Sequence, residues 1–177
     1  AAFTRPAEVL DDGKPGADFS TVPALLVGVR DILSERWAED PVLVQNLRVQ
    51  TSAVSAGSTV VVAWTDANAG LVATPASWND RILVRNLDTG ELMFNEALRY
   101  DITLAGNAAL AVGATLARSF SFKLPEGARG AGRLQVQVFA DQNASGQGSF
   151  VEYDANGVRA DNNNGASIEF NSDVRAY

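Results

Sequence analysis

The sequence has neither cysteine nor histidine. Without cysteine there are no disulfides, zinc-thiolate sites or thiol nucleophiles. Without histidine, Ser-His-Asp and Cys-His catalysis and imidazole metal sites are impossible within this chain. No apolar run approaches the ~20 residues needed to span a bilayer as a helix. The opening Ala1-Ala2-Phe3-Thr4-Arg5-Pro6 has no hydrophobic core of a signal peptide, and reads as a cut through a longer polypeptide or a processed start. Positive charge is sparse, with 14 Lys+Arg against 21 Asp+Glu and a formal charge of −7. Such a balance disfavours polyphosphate, so nucleic acid is not an expected partner. It suits an extracellular protein that stays soluble or gathers calcium.

What remains is a folded-domain composition in a 177-residue chain, one domain by length with room for an appendage. Residues 1–40 read as an N-terminal extension, cap or linker. Asp11-Asp12-Gly13-Lys14-Pro15-Gly16 is dense in turn formers. Val29, Ile32, Leu33 and Trp37 fall at helical spacing, predicting one short helix over 29–39, stopped before Pro41. Residues 41–177 read as the domain proper, and there the pattern is steadily β.

Strands are expected where apolar residues alternate with polar ones. Leu43, Leu47 and Val49 give the first. Val60, Val62 and Trp64 line one face of a second, over 58–65. Trp78, Ile82 and Val84 line a third, over 78–86. Thr89-Gly90 turns the chain into Leu92-Met93-Phe94. Leu98, Tyr100, Ile102 and Leu104 alternate with Arg99, Asp101 and Thr103 and read as one half-buried strand. Phe120, Phe122 and Leu124 mark the next. Leu134, Val136 and Val138 are the cleanest period-2 signal, and Ala166, Ile168 and Phe170 mark the last. The fold class that follows is all-β: an antiparallel Ig-like β-sandwich of seven or eight strands. Trp64 and Trp78 are its expected core aromatics. Animal domains of this type often carry an inter-sheet disulfide, and a chain without one points to a bacterial module held by its core alone.

Several segments together resemble the CARDB domain, a cell-adhesion-related domain found in bacteria. They are Asn46-Leu47, Val60-Val61-Val62-Ala63-Trp64-Thr65, Ala73-Thr74-Pro75-Ala76-Ser77-Trp78-Asn79-Asp80-Arg81, Ala111–Thr115, Phe122–Pro125, Gly132–Asp141 and Asp161-Asn162-Asn163. The resemblance covers about 41–170, and the tryptophan–x–Asp–Arg phrase is its most specific element. Asp66 departs from it, since the family usually has an apolar residue there. The resemblance implies an Ig-like sandwich used as a spacer or adhesive repeat in large bacterial surface or secreted proteins. It supplies no ligand residues. The implied partners are neighbouring domains of the same chain and a cell-surface or glycan ligand.

Three constellations carry chemistry. Asp80 shares the parity of Trp78 and Ile82, which places a carboxylate on an apolar face. The expected outcome is bonding to backbone N–H groups of the preceding loop, or pairing with an arginine on another strand. The second is the 25-residue connection from Asp141 to Gly165, far longer than a hairpin loop. Asp141, Asn143, Asp154, Asn156 and Asp161 are its calcium candidates, since calcium takes six to eight oxygens from carboxylates, amides and carbonyls. The same residues are also what turns require. A calcium site would raise the melting temperature in calcium over chelator, and no shift would remove the idea. The third is aromatic: Tyr100, Phe150 and Tyr153, if exposed in a row, would suit a glycan-binding accessory domain of a polysaccharide-degrading enzyme. A further alternative is an assembly subunit pairing through an edge strand. No spacing of carboxylates selects an acid–base pair, so no catalytic residues and no enzyme activity are expected.

Overall fold

The computed structural model describes residues 42–70, 72–150 and 164–174. The expected helix over 29–39 lies outside them. The described residues form seven strands: β1 Leu43–Val49, β2 Thr59–Ala67, β3 Trp78–Asn86, β4 Leu92–Tyr100, β5 Thr115–Lys123, β6 Gly132–Phe139 and β7 Gly165–Ser172. All named pairings are antiparallel, in a three-stranded sheet ordered β1-β2-β5 and a four-stranded sheet ordered β4-β3-β6-β7. This is the β-sandwich that the alternation predicts.

The sheets close on each other through the residues of inward parity. Val60, Val62 and Trp64 of β2 meet Ile82 and Val84 of β3 and Leu134, Val136 and Val138 of β6, with Phe122 and Leu124 from the β5 side. A second cluster, Val42, Trp78, Leu110, Ala140 and Phe150, closes one pole of the sandwich. Both expected core tryptophans are buried. Truncating either to alanine would cost ~3–5 kcal/mol.

One expected strand is redrawn. Leu92–Phe94 and Leu98–Tyr100 belong to a single strand, and Ile102 and Leu104 fall in the turn beyond it. Asp101 is the physical reason. Its carboxylate accepts from the Thr103 N–H at 3.0 Å and from the Thr103 hydroxyl at 2.7 Å, curling the chain out of the ladder. Those bonds, with Ser77 and Arg99, hold its pKa down to about 2. The alternation continues through Leu104 in sequence, but that side chain is 60% exposed.

The route of the chain through the sandwich follows from the registers. Val42 sits with Trp78 in the cluster that closes one pole, so β1 enters there. Strand β7 starts beside Phe139 and ends beside Gly132, running the same way as β1. At the far pole the β1–β2 connection joins the end of β7 in parallel. Ala56 N–H donates to the Asp173 carbonyl at 2.9 Å, and Asp173 N–H donates to the Val54 carbonyl at 3.0 Å. The chain therefore enters the sandwich at one pole and leaves it at the other.

Candidate functional site

The period-2 rule places three charged side chains inside. Asp66 follows Val60, Val62 and Trp64 in parity, Asp80 lies between Trp78 and Ile82, and Arg118 precedes Phe120 and Phe122. Because β2 and β5 belong to one sheet and β3 to the other, the three meet between the sheets. Arg118 Nε donates to Asp80 Oδ2 at 2.9 Å and stands 3.6 Å from Asp66 Oδ2. Its Nη2 donates to the Leu98 carbonyl of β4 at 2.7 Å. Both carboxyls are fully buried, and the arginine side chain is 7% exposed. Asp80 thus pairs with an arginine on another strand, one of the two outcomes its parity allows.

The tryptophans complete the surroundings. Trp64 Nε1 donates to Asp66 Oδ1 at 2.9 Å. The Trp78 indole N–H has no hydrogen bond of good geometry, but stands close enough to Asp66 to favour its ionised form. The Tyr100 ring lies 4.5 Å from Trp78, and the Arg118 guanidinium stands 5.5 Å from the Tyr100 centroid.

Two buried carboxylates against one guanidinium would leave an uncompensated charge in the core, which is costly. Burial, together with the Asp66 charge, favours the protonated form of Asp80, which would relieve that cost. Asp66 Oδ2 and Asp80 Oδ1 are each buried without a conventional partner, and the two carboxyl groups lie within hydrogen-bonding reach of each other. A proton retained by the pair would leave one carboxylate against the one guanidinium and make the triad neutral. The electrostatics agree: burial, together with the Asp66 charge, pushes Asp80 well above the usual carboxylate range, against the pull of Arg118. Burial also raises Asp66, less strongly, against Arg118 and the two indoles. An acid sealed this way cannot reach a substrate, since proton transfer requires contact. It can tie β2, β3 and β5 together across the core.

The calcium candidates are placed differently. Asp141 is buried with φ +49°, and its carboxylate accepts from the backbone N–H groups of Ser149 at 2.8 Å and Phe150 at 2.7 Å. Asn143 Oδ1 accepts from Ser145 N–H at 2.8 Å and Gln147 N–H at 3.1 Å. Both organise the start of the long connection. Asp154, Asn156 and Asp161 lie outside the described residues.

The aromatic candidates form no exposed row among the described residues. Phe150 is buried with its ring 6.3 Å from Trp78, and Tyr100 packs on Trp78 with its hydroxyl donating to the Ala108 carbonyl at 3.1 Å. Their apolar bodies close the pole of the core, which takes them from a sugar. Tyr153 lies outside the described residues.

No protein-family model matches this sequence, and no curated protein does. Among solved structures the chain is similar to the CARDB domain of the PF1109 protein from Pyrococcus furiosus, crystallised in complex with di-metal ions. The identity is 13%, over 74% of this chain and 86% of that one, with a TM-score of 0.44. The solution structure of the same domain gives 14% identity over 76% of this chain and 96% of that one, with a TM-score of 0.45. The chain is also similar to β-glucosidase 3B from Thermotoga neapolitana in complex with glucose, at 14% identity and a TM-score of 0.42, over 75% of this chain but 16% of the enzyme. The first two are CARDB domains, the family that the Ser77–Arg81 phrase resembles, and the similarity is one of fold. No ligand or role passes from any of them to this chain.

Proposed function

We propose that this chain is a non-catalytic module of a larger bacterial surface or secreted protein, working as an adhesion-related spacer. The observation that carries this reading is the route of the described residues: in at the Val42 pole, out at the Asp173 pole, with β1 and β7 running the same way. A pull on the two ends is then directed along the strands. It must slide the hydrogen bonds of Val54 and Ala56 with Asp173 past one another together, rather than open them one at a time. The buried Asp80–Arg118 contact opposes the same displacement from inside, because it joins the two sheets. Placement at the cell surface and calcium binding by the 141–165 connection belong to this proposal as well.

Single-molecule stretching of several copies joined in tandem tests it. The expected trace shows one force peak per module, with resistance reduced in Asp80→Ala. Forced unfolding reports the unfolding rate, so the variant's effect reads out directly on that peak. Extension without a resolvable peak would overturn the spacer reading.

A further inference from the structure

The outer face of the four-stranded sheet has a composition that the rest of this acidic chain does not. The registers place Asn79, Arg81, Leu83 and Arg85 of β3 beside Asn95, Ala97 and Arg99 of β4 on one side. On the other lie Arg133, Gln135, Gln137 and Phe139 of β6, then Ser167, Glu169 and Asn171 of β7. Four arginines and five amide side chains share this face with one carboxylate. Arg99 and Arg133, at its margins, pair with Asp101 and Asp88. Arg81 and Arg85, on the central strand, have no carboxylate partner among the described residues.

Arg81 is nonetheless held in place. Its Nε donates to Asn95 Oδ1 at 2.9 Å, while Asn95 Nδ2 donates to the Ala144 carbonyl at 3.1 Å. The 141–147 segment crosses this end of the sheet, tied also by Gln142 N–H donating to the Asn79 carbonyl at 2.8 Å. At Gly146, φ is +79° and a side-chain carbon would stand 2.9 Å from Arg81 Nη1, so the glycine lets the segment lie against the guanidinium. Arg85 is fixed by donation from Nη1 to the Gly90 carbonyl at 2.9 Å. Two guanidiniums with no counter-charge among the described residues are therefore fixed in position. They are four residues apart on one strand, roughly 13 Å.

We propose that this face binds an extended carboxylated polysaccharide lying along β3 and β6. Guanidiniums meet carboxylates through paired N–H donors, and fixing them beforehand reduces the ordering cost of binding. Gln135, Gln137 and Asn171 supply donors and acceptors for hydroxyls, and Phe139 offers an apolar surface to the C–H face of a sugar ring. Same-face side chains repeat every ~6.6 Å along a strand, which gives an extended polymer regularly spaced contacts.

Affinity electrophoresis through gels containing polygalacturonate or neutral dextran tests this. The whole chain is expected to be retarded by polygalacturonate and not by dextran. Arg81→Ala and Arg85→Ala are each expected to weaken retardation about tenfold, the worth of one charge-assisted contact. Arg48→Ala, which removes an exposed arginine from the other sheet, should leave it unchanged. Arg85→Ala and Gln137→Ala do not touch the 141–147 segment, so loss of binding in both with an unchanged melting temperature separates binding from folding. The proposal is overturned if polygalacturonate does not retard the chain, if dextran retards it equally, or if Arg48→Ala weakens binding as much as Arg81→Ala. Any of these results would leave the stretching experiment, and the spacer reading, untouched.

Discussion

Arg118→Met is expected to destabilise the domain by ~3–5 kcal/mol, because it strands two carboxyl groups in the core with no cation between them. Urea denaturation at neutral pH measures this as a fall in midpoint. Arg48→Met, an exposed arginine of β1, provides the comparison and should stay within ~0.5 kcal/mol of the parent. The asymmetry has a second half. Replacing all three charges with apolar residues of similar volume, as in Asp66→Val, Asp80→Leu and Arg118→Met together, should recover the loss and match or exceed the parent's stability. If the single Arg118 change is as harmless as the Arg48 change, the triad does not hold the sheets together. The recovered triple variant would show that the triad contributes no net stability over apolar packing of the same volume.

The raised pKa of Asp80 leads to the second result: the parent should lose stability as pH rises from about 4. The sign follows from proton counts. Unfolded, Asp80 releases its proton near the ordinary carboxylate value of ~3.9, whereas burial and the Asp66 charge keep it protonated in the fold well above that. Between those two points the folded state binds more protons than the unfolded state, so stability falls with rising pH, by ~1.4 kcal/mol for each pH unit crossed. Above the folded-state value the loss is complete. Asn at position 80 imitates the protonated acid and cannot ionise. Asp80→Asn should therefore remove Asp80's share of this slope, leaving that of Asp66, which burial also raises, and the difference between parent and variant should move in the variant's favour as pH increases from 4 to 8. A parallel pair of stability curves would rule out a retained proton. Asp101 acts in the opposite sense, since its lowered pKa adds stability above ~3.9 that disappears only as pH falls towards 2. Comparing the variant with the parent cancels that contribution.

Much of the sandwich was legible in the sequence, because half-buried strands expose the period-2 rule directly. The third strand is observed over the expected 78–86, and Trp64, Trp78, Ile82 and Val136 are all in the core. The same rule put Asp80 inside. It also applies to Asp66 and Arg118, which sequence reasoning passed over, the first as a departure from the CARDB pattern and the second without notice. The signal was present, as a charge of inward parity on each of three strands. What parity does not give is which strands face each other. Asp80 and Arg118 are 38 residues apart, and their meeting depends on β5 crossing to the sheet opposite β3. The end of β4 failed for a local reason, since Asp101 turns the chain while the apolar alternation runs on. Tyr100 and Phe150 could not be assigned to surface or core because an aromatic at a strand end or in a long connection serves either, and only the second cluster around Trp78 decides it.

The opposite exits of Val42 and Val174 carry a consequence for length. A strand of nine residues spans ~30 Å, so a folded module advances its polypeptide by little more than that. Drawn out, the same residues reach ~450 Å. A filament assembled from such units would hold a hidden reserve of slack, released one unit at a time, letting a tether survive a sudden tug by paying out chain instead of breaking its grip.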